Sequence, residues 1–227
     1  MLTGAVFGSL ADQVASMVAG NPQLARAVGA DENNDLTAGF FAAAATYLGV
    51  AVAAFAVASV LRAHAEEAAG RTEVVLAAAV DRRRYLGGAL AVAVGASAVL
   101  LLVGGLGTGV AAAAATGDGG LVASEVATQL ARLPAVLVFA GLAVALLGLA
   151  PQRASLAWIL VTWAVLVASF GPLLRLPDWT EKLSPFGWLP RMPDEPVDWA
   201  VLVALTVVAA VLAAAGLAGF RRRDVPA

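Results

Sequence analysis

The sequence predicts an all-α, polytopic bundle of membrane-spanning helices. Two observations carry this. Of its 227 residues, 61% are hydrophobic and 13% are charged. A water-soluble domain carries about 25% charged residues, so there is too little polar surface here to cover a water-facing globule. The apolar residues also gather into five long runs: 36–61, 86–115, 133–150, 156–174 and 199–220. None of these contains Asp, Glu, Lys, Arg or His. Crossing ~30 Å of hydrocarbon takes roughly 20 apolar residues. Such a run must be helical, because lipid offers its backbone no hydrogen-bond partner.

The elements follow in order. Residues 1–35 read as an external amphipathic segment, since they lack a basic leader and Asp12 interrupts the apolar run. The second run, 86–115, is too long for one span, because thirty helical residues extend about 45 Å. Gly104, Gly105, Gly107 and Gly109 near its far end predict a break or kink there, or close packing of a neighbouring helix. Residues 117–132 begin Gly-Asp-Gly-Gly and continue as a short amphipathic helix. Pro134 stands near the start of the third run, where its missing N–H costs nothing. Residues 151–155 form a tight turn. Residues 175–198 hold five of the ten prolines and two tryptophans, which predicts an ordered segment without long helices. Trp199 opens the last span, where an interfacial aromatic belongs.

Arginine placement sets the expected orientation. Alternate joints share a side, so Arg62, Arg71, Arg82, Arg83, Arg84, Arg153, Arg221, Arg222 and Arg223 fall together. They oppose Arg26, Arg132, Arg175, Lys182 and Arg191. The richer side is expected to be cytoplasmic. The N-terminus is then outside, the C-terminus inside, and a sixth, preceding span is missing from the bundle. The abundance of arginine and alanine beside the single lysine, Lys182, suggests a GC-rich bacterial genome and hence a bacterial inner membrane.

Several function classes are excluded. The spans carry no ionisable group, which argues against a proton-coupled carrier or an ion channel made of this chain alone. Cysteine is absent and His64 is the single histidine. No metal site, catalytic triad or phosphate-binding loop can be assembled from the motifs present. The net charge of −2 gives no reason to expect a nucleic-acid partner. Function must therefore lie in the shape of the bundle and in two loops. The cytoplasmic loop 62–85 carries Glu66, Glu67, Arg71 and Glu73, followed by Val74, Val75 and Leu76. Glu67 and Arg71 are spaced to pair on one helix face. This loop is either a charged connector or a docking helix for a cytoplasmic partner. The external loop 175–198 is either an interfacial cap or an outer gate.

The run EEAAGRTEVVLAAAVDRRRYL, residues 66–86, resembles the coupling-helix loop of type-2 ABC exporter permeases. Together with Leu183-Ser184-Pro185-Phe186, Leu189-Pro190 and Pro193, and with Phe220-Arg221-Arg222-Arg223-Asp224, it resembles the second half of the large actinobacterial polyketide-antibiotic exporter permeases. Trp188 departs from the histidine or small polar residue expected there. The resemblance implies a transmembrane domain over 36–224 that exports hydrophobic compounds such as antibiotics or drugs. It places coupling to a separate cytoplasmic ABC ATPase on Glu66, Glu67, Gly70, Arg71, Glu73 and Leu76, and an external gate on Leu183, Pro185, Phe186 and Pro190. ATP and Mg would be held by the ATPase, with no cofactor and no catalytic residue in this chain. The other implied partners are a second transmembrane half or permease copy, and membrane lipid. Two other readings of the same residues are a non-transporting membrane scaffold and an intramembrane enzyme acting on lipids.

Overall fold

The computed structural model describes residues 36–68, 82–174, 177–190, 192 and 196–221. Among them are helices and turns and no strand. α1 spans Leu36–Ala68, α2 Arg82–Thr116, α3 Gly120–Leu130 and α4 Leu133–Leu149. α5 spans Ala157–Leu174, α6 Asp178–Glu181 and α7 Trp199–Arg221, with 3-10 turns at Pro151–Leu156 and Pro185–Trp188. Five stretches are long and apolar enough to cross a membrane: Ala44–Arg62, Gly87–Ala114, Gly120–Leu149, Pro151–Gly171 and Trp199–Phe220. The expected all-α polytopic bundle is borne out. The expected N-terminal segment 1–35 lies outside the described residues.

α4 occupies the centre. It is apolar on every side, which suits a helix with no exposed face. Val136, Phe139, Ala140, Ala143, Val144 and Leu147 are buried, and α1, α2, α5 and α7 all pack on it. α7 runs parallel to α4 at close range. A Cβ added at Gly141 would sit 2.7 Å from the Ala209 carbonyl oxygen, and one at Gly148 would collide with the backbone of Gly216. Only residues without a side chain allow two helix backbones so near each other. Away from α4 the surface is apolar too. Val203, Val207 and Val211 of α7 are each more than half exposed. They form a stripe that water would penalise and lipid or another transmembrane helix covers.

Two elements differ from the sequence reading. The first is the glycine-rich end of the second span, where a break was one expectation. α2 instead runs unbroken for 35 residues, about 52 Å. Its glycines serve the other expectation, close packing. A Cβ at Gly105 would lie 2.8 Å from the Val126 Cα, and one at Gly109 would lie 2.8 Å from the Val122 Cα. The Gly105-x-x-x-Gly109 pair is therefore a shallow seat on which α3 lies antiparallel to α2. The chain reverses between them at Gly117, whose φ of +78° only glycine adopts freely, and Asp118 Oδ1 accepts the Gly120 N–H at 2.8 Å. The second difference is the extent of the joint 62–85. α1 continues to Ala68 and α2 already begins at Arg82. Residues 62–68 are Arg, Ala, His and Glu, with no helix breaker before Gly70, so the helix outlasts the span.

The third span is a broken helix. The 17 residues of α4 reach only about 25 Å, short of the ~30 Å hydrocarbon core. α3, separated from it by a turn at Ala131 and Arg132, supplies the remainder. The break follows from Pro134, whose ring cannot coexist with the carbonyl four residues back in a continuous helix. The turn keeps its backbone bonded: Ala131 N donates to Ala127 O at 2.9 Å, Arg132 N to Gln129 O at 3.1 Å, and Val136 N to Arg132 O at 3.1 Å.

The glycine contacts give a direct test. Gly216→Val should destabilise the purified protein by about 1–3 kcal/mol, the usual cost of overpacking. Gly107→Ala, which meets nothing within 4 Å, should leave stability unchanged or slightly raised. Thermal unfolding in one detergent compares them, and equal melting temperatures for both variants would contradict the packing described.

Candidate functional site at the capped end of the bundle

The segment between α5 and α7 folds back against the bundle as a cap. Thr180 Oγ1 donates to Pro177 O at 2.7 Å and holds the short turn of α6. The indole N–H of Trp163, within α5, donates to Thr180 O at 3.1 Å and ties that turn to the span. Ser184 starts the 3-10 turn by accepting the Phe186 N–H at 3.4 Å, and Trp188 closes it by donating from its indole N–H to Lys182 O at 2.8 Å. Gly187 has no room for a side chain, because the Glu181 carbonyl lies against it. Proline at 185 fixes the first residue of the turn.

The cap directs Phe186 inward. Its ring meets Phe139 of α4 with centroids 5.4 Å apart and planes tilted by 33°. Phe139 lies six residues into α4, so Phe186 reaches about 9 Å below the start of that helix. Gly49 of α1 makes room for it: a Cβ there would lie 3.3 Å from the Phe186 ring and 3.3 Å from the Arg132 side chain. Phe186 thus closes the space between α1 and α4. Of the other expected gate residues, Pro185 is buried, Leu183 is exposed, and Pro190 is half-buried beside the start of α7. Glu66 and Glu67 lie on the last turn of α1, while Gly70, Arg71, Glu73 and Leu76 fall outside the described residues.

Beside the cap, on α3 and the turn into α4, is a polar cluster that the sequence reading missed. The expectation that no ionisable group lies within the spans is corrected, because the broken helix α3–α4 carries Glu125 and Arg132 into the bundle. Glu125, Thr128 and Gln129 are buried, and Gln129 is fully so. Thr108 of α2 shares its hydroxyl between the Gly104 carbonyl at 3.1 Å and Glu125 Oε2 at 3.5 Å. Arg132 is near enough to Glu125 for the charges to attract. The Gln129 amide oxygen and nitrogen and one Arg132 Nη are buried without a hydrogen-bond partner in the protein. A signal for this was present. Glu125, Thr128, Gln129 and Arg132 stand at i, i+3, i+4 and i+7, one helix face. The adjoining apolar run 133–150 is also at the short end of what crosses a membrane unaided.

The cluster is a place to hold polar groups, with an amide that can donate and accept and a guanidinium that can donate. Among the described residues, no three His, Cys, Asp or Glu side chains gather as metal ligands.

The fold and this capped end define a multi-pass helical membrane domain with a re-entrant segment inserted into one mouth. Residues 1–221 match the family described as Multidrug efflux system permease Rv1217c, C-terminal domain, and the chain belongs to that family. It is 34% identical over 226 residues to the Multidrug efflux system permease protein Rv1217c of Mycobacterium tuberculosis (strain ATCC 25618 / H37Rv). That alignment covers 99% of this chain and 41% of the relative, so the chain spans less than half the relative's length. The resemblance to the second half of a large exporter permease is borne out by where the match falls.

Replacing Gln129 by Leu should separate stability from function. Exchanging a buried, unpartnered amide for an apolar group of similar size is close to neutral or stabilising. The expected outcome is an unchanged or higher melting temperature. A drop of several degrees would mean that the amide is satisfied in the folded protein.

Proposed function

We propose that this chain is the transmembrane permease part of an ATP-driven ABC exporter that moves hydrophobic compounds, such as antibiotics or drugs, out of a bacterial cell. The observation that carries the reading is the match of nearly the whole chain to the C-terminal domain of a multidrug efflux permease. The chain itself is not the enzyme. A separate cytoplasmic ATPase binds ATP and Mg and docks on the end of α1 and the segment after it, at Glu66, Glu67, Gly70, Arg71, Glu73 and Leu76. A second transmembrane half, or a second permease copy, completes the pathway.

The physical case is one of energy transmission. Apart from Glu125 and Arg132, the five membrane-crossing stretches are nearly free of charge. Work done on them must enter through a loop that a partner can grip. α1 and α2 extend beyond the membrane on either side of that loop, to Ala68 and from Arg82. Each is a rigid lever with one end in the bundle. A push there is transmitted along α1 towards Gly49, where Phe186 and Arg132 meet the helix. Two packings of the cap, one with Phe186 seated on Phe139 and one with it withdrawn, would make the mouth a gate. ATP drives transport only if it favours one of these packings over the other. In this arrangement the N-terminus faces outside and the C-terminus the cytoplasm. The basic groups Arg82, Arg153 and Arg221 then share the cytoplasmic end, as arginine asymmetry favours.

A scaffold without a transport path would not need the loop to bear load. Glu73→Arg should leave the protein inserted and abundant. It should abolish co-purification of the ATPase and lower efflux at least tenfold, since disrupting a buried interfacial charge contact costs about 2–5 kcal/mol. An exposed pair is worth only ~0–1 kcal/mol. Normal ATPase capture with normal efflux would reject the coupling role.

Orientation is tested in the same cysteine-free background. Gly119→Cys, at the α2–α3 turn, should react with an impermeant thiol reagent in intact cells, and Ser155→Cys, in the turn before α5, should be spared. The opposite labelling pattern would invert the topology.

A further inference from the structure

α5 and α7 both lie against α4 but leave a cleft between them. Its volume is about 670 Å³, within the range of small-molecule sites. Val138 and Leu142 of α4 form its floor and Leu160 of α5 one wall. α7 lines it from Ala200 to Leu212. That is a rise of about 18 Å, against about 15 Å for half of the hydrocarbon core. The cleft is therefore as long as one leaflet is deep.

Among the described residues, one charged residue lines it. Lys182 of the cap stands at the cleft with its Nζ 5.9 Å from the centroid of the Trp188 ring, which also lines the space. The Trp188 indole in turn donates to the Lys182 carbonyl, so cation and ring are held as a unit. Two carboxylates of the described residues near this end face elsewhere. Asp198 Oδ1 accepts the N–H groups of Ala200 at 2.9 Å and Val201 at 3.3 Å. Glu181 Oε1 is turned towards Gly171 of α5, 3.8 Å from where a Cβ would stand. A long apolar trough with a cation at its capped end complements an amphiphile with a long chain and an anionic head.

We propose that this cleft binds an anionic phospholipid from the leaflet on the cap side, with an acyl chain along α7 and the phosphate at Lys182. The lipid would fasten the cap to α7, and it needs neither an ATPase nor a transported compound. The site is distinct from the Phe186–Phe139 contact, so it stands or falls separately from the export reading.

Native mass spectrometry of the purified, delipidated protein tests this, with phosphatidylglycerol and phosphatidylcholine of identical chains added back. The wild type should retain phosphatidylglycerol about fivefold better, the size of effect one lysine has beside an anionic lipid surface. Lys182→Gln should make the two lipids equal. Ala204→Trp, which fills the trough, should remove retention of both, and Val208→Phe serves if that variant does not fold. Equal retention by the wild type, or a preference that survives Lys182→Gln, would overturn the assignment. So would lipid retention that the filling variants leave intact. A lipid-free dimer that dissociates on filling the trough would assign the cleft to a second copy of the chain and likewise overturn it.

Discussion

Lipid tails are as apolar as leucine, so helices in a bilayer gain little from hiding apolar side chains from their surroundings. They hold together through how closely their surfaces fit. In this chain the closest fit is between α4 and α7, where Gly141, Gly148 and Gly216 bring the two backbones into contact. The other spans are arranged around the result. With α7 seated on one side of α4, α1 and α2 pack elsewhere on it, and α5 is left more loosely applied. The cleft between α5 and α7 is a consequence of that unequal packing, as is the room for the cap at one mouth.

The second organising constraint is the length of α4. A helix this short is completed by another segment, and the two are separated by a turn at Ala131 and Arg132, just before Pro134. α3 has its own support, which Gly105 and Gly109 of α2 provide. α3 packs on α2 with its polar face turned inward rather than to water. Glu125, Thr128, Gln129 and Arg132 are drawn in with it. Polar groups buried this way are costly when unpaired, and at membrane depth they mark places where something is recognised or moved. Arg132 and Phe186 meet side by side at Gly49, which joins the polar cluster and the cap into one region.

The cap itself is held by short-range devices. Turn hydrogen bonds at Thr180 and Ser184, proline at 185 and the glycine at 187 fix its shape. Among the described residues, Phe186 packed on Phe139 and at Gly49 and the Trp163 hydrogen bond to Thr180 attach it to the spans.

The sequence by itself determined the membrane class, the five crossings and the polar joints. Those follow from composition and run length, and the hydrocarbon thickness leaves little choice about either. It also marked both loops and left the glycines of α2 open between a break and a packing seat. Tertiary structure decided between them, because a glycine in a helix bends it or admits a neighbour depending on whether a neighbour arrives. Tertiary structure also turned residues 120–132 from an apparent surface helix into part of a span. The stripe Glu125, Thr128, Gln129 and Arg132 is equally polar whether it faces water or a bundle interior, and periodicity cannot tell those environments apart. The cap's descent onto Phe139 was likewise out of reach. It depends on Gly49 of α1 and Phe139 of α4 being brought together from distant parts of the chain, and only the packed helices specify that space.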